Sequence, residues 1–376
     1  MKEVFVIADN IVSPLGKTTA ENFSAVCSNQ SAVKEHRDNT KSEKPFYASL
    51  FAADAFQNDN LTKFEQLLVA SVTNAISKTD IEIGNKRTAL IISSTKGNIS
   101  LLEDNEATPQ LKEQISLSSS AQKIASHFGF TTKPVIVSHA CISGLVALIT
   151  AKRLLQGGNY DTVVVAGADV ITKFILSGFQ SFQAVSDEAC KPFDANRKGI
   201  NLGEAAATII LSVHNPGSNA IQIAGGAVSN DANHISGPSR TGEELYQAIN
   251  AALQESGIDK NEIGFISTHG TATLYNDDME SKAITLAGLQ EVPLNSLKGF
   301  YGHTLGAAGL LETVISIQSL KEGKIIPTQG FETAGTAMPV NVCSSLIQKE
   351  MKACLKTASG FGGCNAAVIL KRDSIV

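Results

Sequence analysis

One thiol and two imidazoles stand where a chain usually delivers reactive groups. Cys141 lies in Val135-Ile136-Val137-Ser138-His139-Ala140-Cys141-Ile142-Ser143-Gly144. An apolar strand ends there, small residues turn the chain, and a helix begins at or just after the cysteine. Strand–turn–helix geometry lifts a side chain clear of a sheet, as in a nucleophile elbow. The helix's partial positive end is expected to face the sulfur and lower its pKa. N–H groups at such a turn can hold an oxyanion. By itself the segment fits a buried structural cysteine at a helix start equally well. His139, two residues earlier, need not share its face.

His269 follows a buried strand and opens His269-Gly270-Thr271-Ala272-Thr273-Leu274-Tyr275-Asn276-Asp277-Asp278-Met279-Glu280. A histidine at a strand end beside glycine can point into a cleft. Thr271 and Thr273 face one way if the segment is extended, and suit a polar, linear substrate arm. Asp277 and Glu280 share a helical face, where favourable charge at a helix N-terminus also explains them. His303 stands just before a helix of Gly, Ala and Leu, read as Leu305–Leu320, which must pack closely and be buried. The helix dipole there favours a neutral imidazole that donates from Nε2–H, although a lone buried histidine is otherwise a satisfied core residue. Lys298 and Glu312 sit on the same apolar background, and pairing them reduces the cost of burial. Ser359-Gly360-Phe361-Gly362-Gly363-Cys364-Asn365 is a glycine-rich turn carrying one large aromatic, able to swing or simply to connect two strands.

The elements that must position these groups alternate between short β-branched runs and helical patterns, which predicts an α/β protein with buried sheets. Met1–Ala8 reads as a first strand. Further strands are predicted at Arg87–Ser94, Pro134–Ser138, Thr162–Ala166, Ala205–Ser212, Ile221–Val228, Ile263–Thr268, Leu355–Ser359 and Ala366–Lys371, with helices after Cys141 and over Gly242–Ser256. Turn residues from His214 to Asn219 divide the chain into an expected N-terminal half, 1–216, with the nucleophile, and a C-terminal half, 217–376, with both histidines. In each half a strand ends on a reactive residue, Cys141 or His269, where open α/β sheets place their sites. The polar stretch Asn29–Lys44 reads as a solvated loop.

With 376 residues the chain exceeds what one hydrophobic core usually serves, so two lobes are expected. A net charge of −5 without clustered Lys/Arg argues against nucleic acid. No apolar run is long enough to span a bilayer and the first residues do not form a signal peptide, so the expected location is the cytoplasm. The six cysteines form no CxxC pair and none has a His at metal-ligand spacing, so neither zinc nor disulfides are expected.

Taken in order, the segments resemble the β-ketoacyl-acyl carrier protein synthases of the thiolase superfamily. The resemblance runs nearly end to end. It begins at Val12-Ser13-Pro14-Leu15-Gly16 and includes Ala140–Gly144 as the nucleophile turn. Pro192-Phe193-Asp194 with Arg197, Gly199, Gly203 and Glu204 resembles PFDxxRDGFxxGEG. His269–Glu280 fits HGTxTxxxDxxE, Lys298–Gly309 fits KxxxGHxxGAAG, and Gly360–Asn365 fits GFGGxN. The resemblance implies a five-layered αβαβα fold made of two similar halves and an obligate dimer, either a homodimer or a heterodimer with a related subunit. His303 in the second histidine position corresponds to the chain-elongating Cys-His-His branch. The implied activity is an acyltransferase of fatty acid biosynthesis or related polyene and polyketide synthesis. In it, Cys141 takes an acyl group from acyl carrier protein, and malonyl carrier protein is then decarboxylated and condensed with that group. Catalysis falls to Cys141, His269, His303 and Lys298, supported by Glu280, Glu312 and Asp277. Thr271 and Thr273 would hold the phosphopantetheine arm, Phe361 would gate the acyl pocket beside Ile142, and the N–H groups of Cys141 and Phe361 would hold the oxyanion. No permanently bound cofactor or metal is implied.

Departures from the family pattern are Gly199-Ile200-Asn201, Glu204-Ala205-Ala206-Ala207, the bulky Ile142 and Cys364. They bear on the substrate pocket rather than on the chemistry. Two other readings account for less of the sequence. A non-catalytic chain-length-factor-like partner usually lacks the nucleophile, and a thiolase-like enzyme acting on coenzyme A esters should carry a second active-site cysteine and lack the His303 motif. Carrier-protein docking is expected at a basic patch, with Lys63, Lys152 and Arg153 as candidates.

Overall fold

The computed structural model describes residues 2–373 apart from 53, 57–59, 104, 107 and 233–235, so Met1 lies outside it. Ten strands form the large sheet: β1 (Phe5–Val12), β2 (Thr88–Ser93), β3 (Val135–Val137), β4 (Thr162–Asp169), β5 (Ala205–Ser212), β6 (Ile221–Asn230), β7 (Ile263–Ser267), β8 (Leu294–Asn295), β9 (Ala353–Gly360) and β10 (Cys364–Arg372). Their spatial order is β8-β7-β9-β10-β6-β1-β5-β4-β2-β3. Read outward from the middle, each half repeats one pattern: first, fifth, fourth, second, third. The directions repeat too. In each half the first and fifth strands and the fifth and fourth are antiparallel, while the fourth and second and the second and third are parallel. The halves meet edge to edge where Phe5 pairs with Gln222 and Val6 with Ile221. This architectural repeat is invisible in residue identities.

Period-two alternation in the strands assigns each side chain to a layer. Ala89, Ile91, Val163, Val165, Ile209 and Leu211 face a central core, and Leu90, Ile92, Val164, Ala166 and Ile210 face an outer one. In the other half Phe265, Cys354, Val368 and Leu370 face the central core, and Ile266, Leu355, Ala367 and Ile369 face a third. Helices α1 (Thr19–Cys27), α2 (Lys63–Ile76), α3 (Leu117–Phe128), α4 (Ser143–Gln156), α5 (Lys173–Ser181), α6 (Glu243–Ser256), α7 (Leu274–Leu286) and α8 (Ala308–Glu322) supply the other layers. α2 and α3 cover one outer face, α6 and α7 the other, and α4 and α8 lie between the halves. The result is the five-layered αβαβα arrangement.

The middle layer is tight because of two glycines. A Cβ on Gly144 of α4 would come 2.7 Å from the Leu310 backbone N of α8, and one on Gly309 would come 2.7 Å from the Leu145 backbone N. α8 is nearly all buried, as expected. It begins at Ala308 after a 3₁₀ turn over Leu305–Ala307, slightly later than expected. The polar stretch 29–44 departs further from expectation. Lys34–His36 is a short strand paired with Phe46–Ser49, too brief and too charged to show a strand pattern in sequence. No helix of the described residues is long and apolar enough to cross a membrane.

Candidate active site

Cys141 and His303 occupy equivalent places in the repeat. Each follows the third strand of its half, β3 or β8, and each precedes a central helix, α4 or α8. His269 follows the second strand of its half, β7, so the counterpart of Cys141 is His303 rather than His269. The reacting atoms of Cys141, His269 and His303 all lie within 4.8 Å of one another. The imidazole centroids are 5.1 Å apart at 83°.

The cysteine turn is sharply bent, with Ala140 at φ 44°. Ser143 staples it: its hydroxyl donates to the Ala140 carbonyl at 2.6 Å and accepts the His139 N–H at 2.7 Å. His139 itself is exposed and its ring does not line the cavity. The Phe361 backbone N–H hydrogen-bonds to the Cys141 sulfur. Gly360 permits that approach, since a Cβ there would sit 3.0 Å from both the Cys141 N and the Cys364 Sγ. The expected lowering of the thiol pKa does not occur. Burial, reinforced by the neighbouring Cys364 thiol, pushes Cys141 up to about 12, outweighing the Lys298 charge and the Phe361 N–H.

Two carboxylates of α7 hold the His269 turn. Glu280 accepts the N–H groups of His269 (2.9 Å) and Gly270 (2.6 Å), and Asp277 accepts that of Thr271 (2.9 Å) and also that of Phe193 (2.8 Å). Both acids are fully buried, so they act as anchors rather than as surface charges at a helix start. Burial raises Asp277 to about 7. The Thr271 and Thr273 hydroxyls meet at 2.9 Å on the cavity wall, although the segment is not extended, since Ala272 between them is left-handed at φ 59°.

His303 is clamped by the segment in which the sequence departs from pattern. Its N–H donates to the Asn201 carbonyl at 2.7 Å, and its carbonyl accepts the Gly203 N–H at 3.0 Å. Its Nδ1 accepts the Leu305 N–H at 3.3 Å, which leaves the ring proton on Nε2, a buried atom without a hydrogen-bond partner among the described residues. Burial first, then the Lys298 charge, hold both imidazoles well below the ordinary histidine range, so both are neutral at neutral pH. Lys298 donates to the His269 carbonyl at 2.9 Å and pairs with Glu312 as expected. A thiol and two imidazoles so placed could ligate a soft cation such as zinc, but the ammonium charges of Lys298 and Lys356 oppose one.

A cavity of about 470 Å³ opens onto Cys141, His269, His303, Thr271, Thr273 and Phe361. Ile142 does not line it. That side chain is fully buried in the central core, because the residue after the nucleophile turns inward to begin α4. Phe361 stacks on Phe179 of α5 at 5.5 Å and meets Phe182 edge-on at 5.2 Å. Phe179, Phe182, Ser143, Asn201 and Lys356 carry no role predicted from sequence. Lys356 had the clearest signal, the one charged residue inside its strand. Two docking candidates are already engaged: Lys152 is buried on Glu255, and Lys63 pairs with Glu204 at 2.6 Å, leaving Arg153 exposed.

The family models for the beta-ketoacyl synthase N-terminal and C-terminal domains match residues 1–215 and 221–332. The chain belongs to the beta-ketoacyl synthase family. The chain is 27% identical to 3-oxoacyl-[acyl-carrier-protein] synthase 2 of Vibrio cholerae, over 99% of both chains. It is 28% identical to a putative polyketide beta-ketoacyl synthase 1 of Streptomyces cyaneus, over 82% of this chain and 81% of that one. Among solved structures, a ketosynthase in complex with its chain length factor from Xenorhabdus doucetiae is 25% identical with a TM-score of 0.87, covering 99% and 98% of the two chains. A beta-ketoacyl synthase from Burkholderia phymatum shares the fold at 24% identity and a TM-score of 0.90, with full coverage of both. The relatives span fatty-acid and polyketide synthases, and the chain is accordingly an enzyme of the acyltransferase class.

Proposed function

We propose that this chain is a chain-elongating β-ketoacyl-acyl carrier protein synthase, working by decarboxylative Claisen condensation. The observation that carries the reading is Cys141, His269 and His303 converging within 4.8 Å on one cavity. The Cys141 sulfur attacks the carbonyl of an acyl carrier thioester and the pantetheine thiol leaves. Because the thiol is raised to about 12, its proton must leave during attack; neutral His269 takes it and passes it to the departing pantetheine sulfur, since His303 already carries its proton on Nε2 with Nδ1 engaged by the Leu305 N–H. Malonyl carrier protein then enters with its arm along Thr271 and Thr273. Its carboxylate leaves as carbon dioxide, and the C–C bonding electrons pass into an enolate whose oxygen takes hydrogen bonds from His269 and His303. The enolate carbon attacks the acyl-Cys141 carbonyl, the oxyanion rests on the N–H groups of Cys141 and Phe361, and the thiolate is expelled. Lys298, Glu312, Glu280 and Asp277 keep the histidines in place. Phe361 gates acyl entry.

In this reading residues 1–216 and 217–376 are the two halves, the partner subunit is a copy or a relative of this chain, no permanently bound cofactor or metal takes part, and the enzyme works in the cytoplasm. A nucleophile with both histidines favours a catalytic subunit over a chain-length-factor-like one. Intact mass after incubation with acyl carrier substrates tests it. Wild type gains an acyl adduct and Cys141→Ala does not; absence of a Cys141-dependent adduct sinks the proposal.

A further inference from the structure

Lys356 sits in the middle of β9, fully buried, on the same strand face as the core residues Cys354 and Ala358. That face looks onto α8, and there the Lys356 ammonium lies 2.8 Å from Glu312 Oε2. Glu312 Oε1 pairs with Lys298, so one carboxylate bridges two buried ammonium groups. The three N–H bonds of Lys356 are otherwise directed: to the carbonyls of Ser267 (3.2 Å), Thr268 (3.1 Å) and Thr357 (2.6 Å). Glu312 Oε2 therefore has an ionic contact with Lys356 without an aligned hydrogen bond. Ser267 and Thr268 are the two residues immediately before His269. A buried lysine is costly, and its presence in the middle of a buried strand calls for a compensating role.

We propose that Lys356 is a positioning residue for decarboxylation: it clamps the strand end that delivers His269 and, through Glu312, the ammonium of Lys298. The proposal rests on the reading of Cys141, His269 and His303 as the condensing centre. Lys298 grips the His269 carbonyl, Lys356 grips the two carbonyls before it, and Glu280 grips the N–H groups of His269 and Gly270. The backbone groups around the histidine are thus held from three elements: β9, α7 and the turn carrying Lys298. The charges facing the imidazoles are those of Lys298 and Lys356, with Glu312 and Glu280 behind them, and the two ammonium groups oppose histidine protonation.

The test uses the full-length protein with malonyl carrier protein alone and three readouts: decarboxylation rate, substrate KM and the ring titration of ¹³C-labelled histidines, with His269→Ala and His303→Ala for assignment. Lys356→Met removes charge and donors while keeping length, and Lys356→Gln keeps a donor without charge. The expected result is a decarboxylation kcat lowered about tenfold or more in Lys356→Met, with KM within about twofold and a smaller loss in Lys356→Gln. The His269 and His303 rings titrate well below the ordinary value of about 6.5 in wild type and closer to it in Lys356→Met. Wild-type kcat in Lys356→Met, or a loss of kcat with unmoved histidine titration, overturns the proposal. If neither variant folds, the wild-type titration decides, and ordinary histidine values there overturn it. Wild-type protein that does not decarboxylate malonyl carrier protein instead overturns the parent reading.

Discussion

Glu280 accepts the backbone N–H groups of both His269 and Gly270 from one carboxylate, 2.9 Å and 2.6 Å away, so the histidine's main chain is anchored by a residue eleven positions later. Glu280→Gln turns one of those oxygens into a donor facing an N–H. Decarboxylation of malonyl carrier protein is expected to fall about 10- to 100-fold, while acylation of Cys141 changes less. Stopped-flow assays of the two half-reactions separate these effects, and equal losses in both would remove Glu280 from a role specific to His269.

Cys141 is a buried thiol raised to about 12. Its alkylation by iodoacetamide at about pH 7.5 is expected to run at least about tenfold slower than that of free cysteine and to keep rising above about pH 9. Rate profiles followed by peptide mass spectrometry test this. A plateau below about pH 8, near the ordinary thiol value, contradicts it.

Phe361 is packed between Phe179 and Phe182, and swinging it aside breaks both ring contacts. Phe182 is 52% exposed, so Phe182→Ala should fold normally. Losing one ring pair, about 0.5–1.5 kcal/mol, is expected to speed acylation of Cys141 about 2- to 10-fold if gate opening limits it. Single-turnover acylation is the measurement, and an unchanged or slower rate counts against the gate.

Asp277 titrates at about 7 in the folded protein, against an ordinary 3.8. A carboxyl whose folded pKa is raised holds its proton more tightly in the native state, so its contribution to stability is full below about pH 4 and is lost as pH rises through about 7. Asp277→Asn is expected to flatten the fall in stability between about pH 4 and about pH 7 relative to wild type. Urea midpoints across that range test it, and parallel wild-type and variant curves would speak against it.

Gly144 faces the Leu310 backbone with no room for a methyl group. Gly144→Ala is expected to cost about 2–3 kcal/mol by forcing α4 and α8 apart. A urea midpoint within error of wild type would show that the layer can relax.

The strands were legible in sequence because a strand buried on both faces is mostly apolar, as Ala205–Ser212 is at its predicted limits. Cys141, His269, His303, Lys298 and Glu312 were legible for a related reason: each is a reactive or charged group on an apolar background, at a turn or helix start where few neighbours explain it. Ion pairing of Lys298 with Glu312 followed from the cost of leaving either charge buried alone. Only the tertiary structure decided what surrounds them. Burial, a sum over many distant residues, reversed the expected pKa shift of Cys141 and drew Ile142 into the core. Long-range pairing brought Asn201 to His303 and Lys356 to the carbonyls before His269, contacts that span 88 residues or more and leave no local spacing to read.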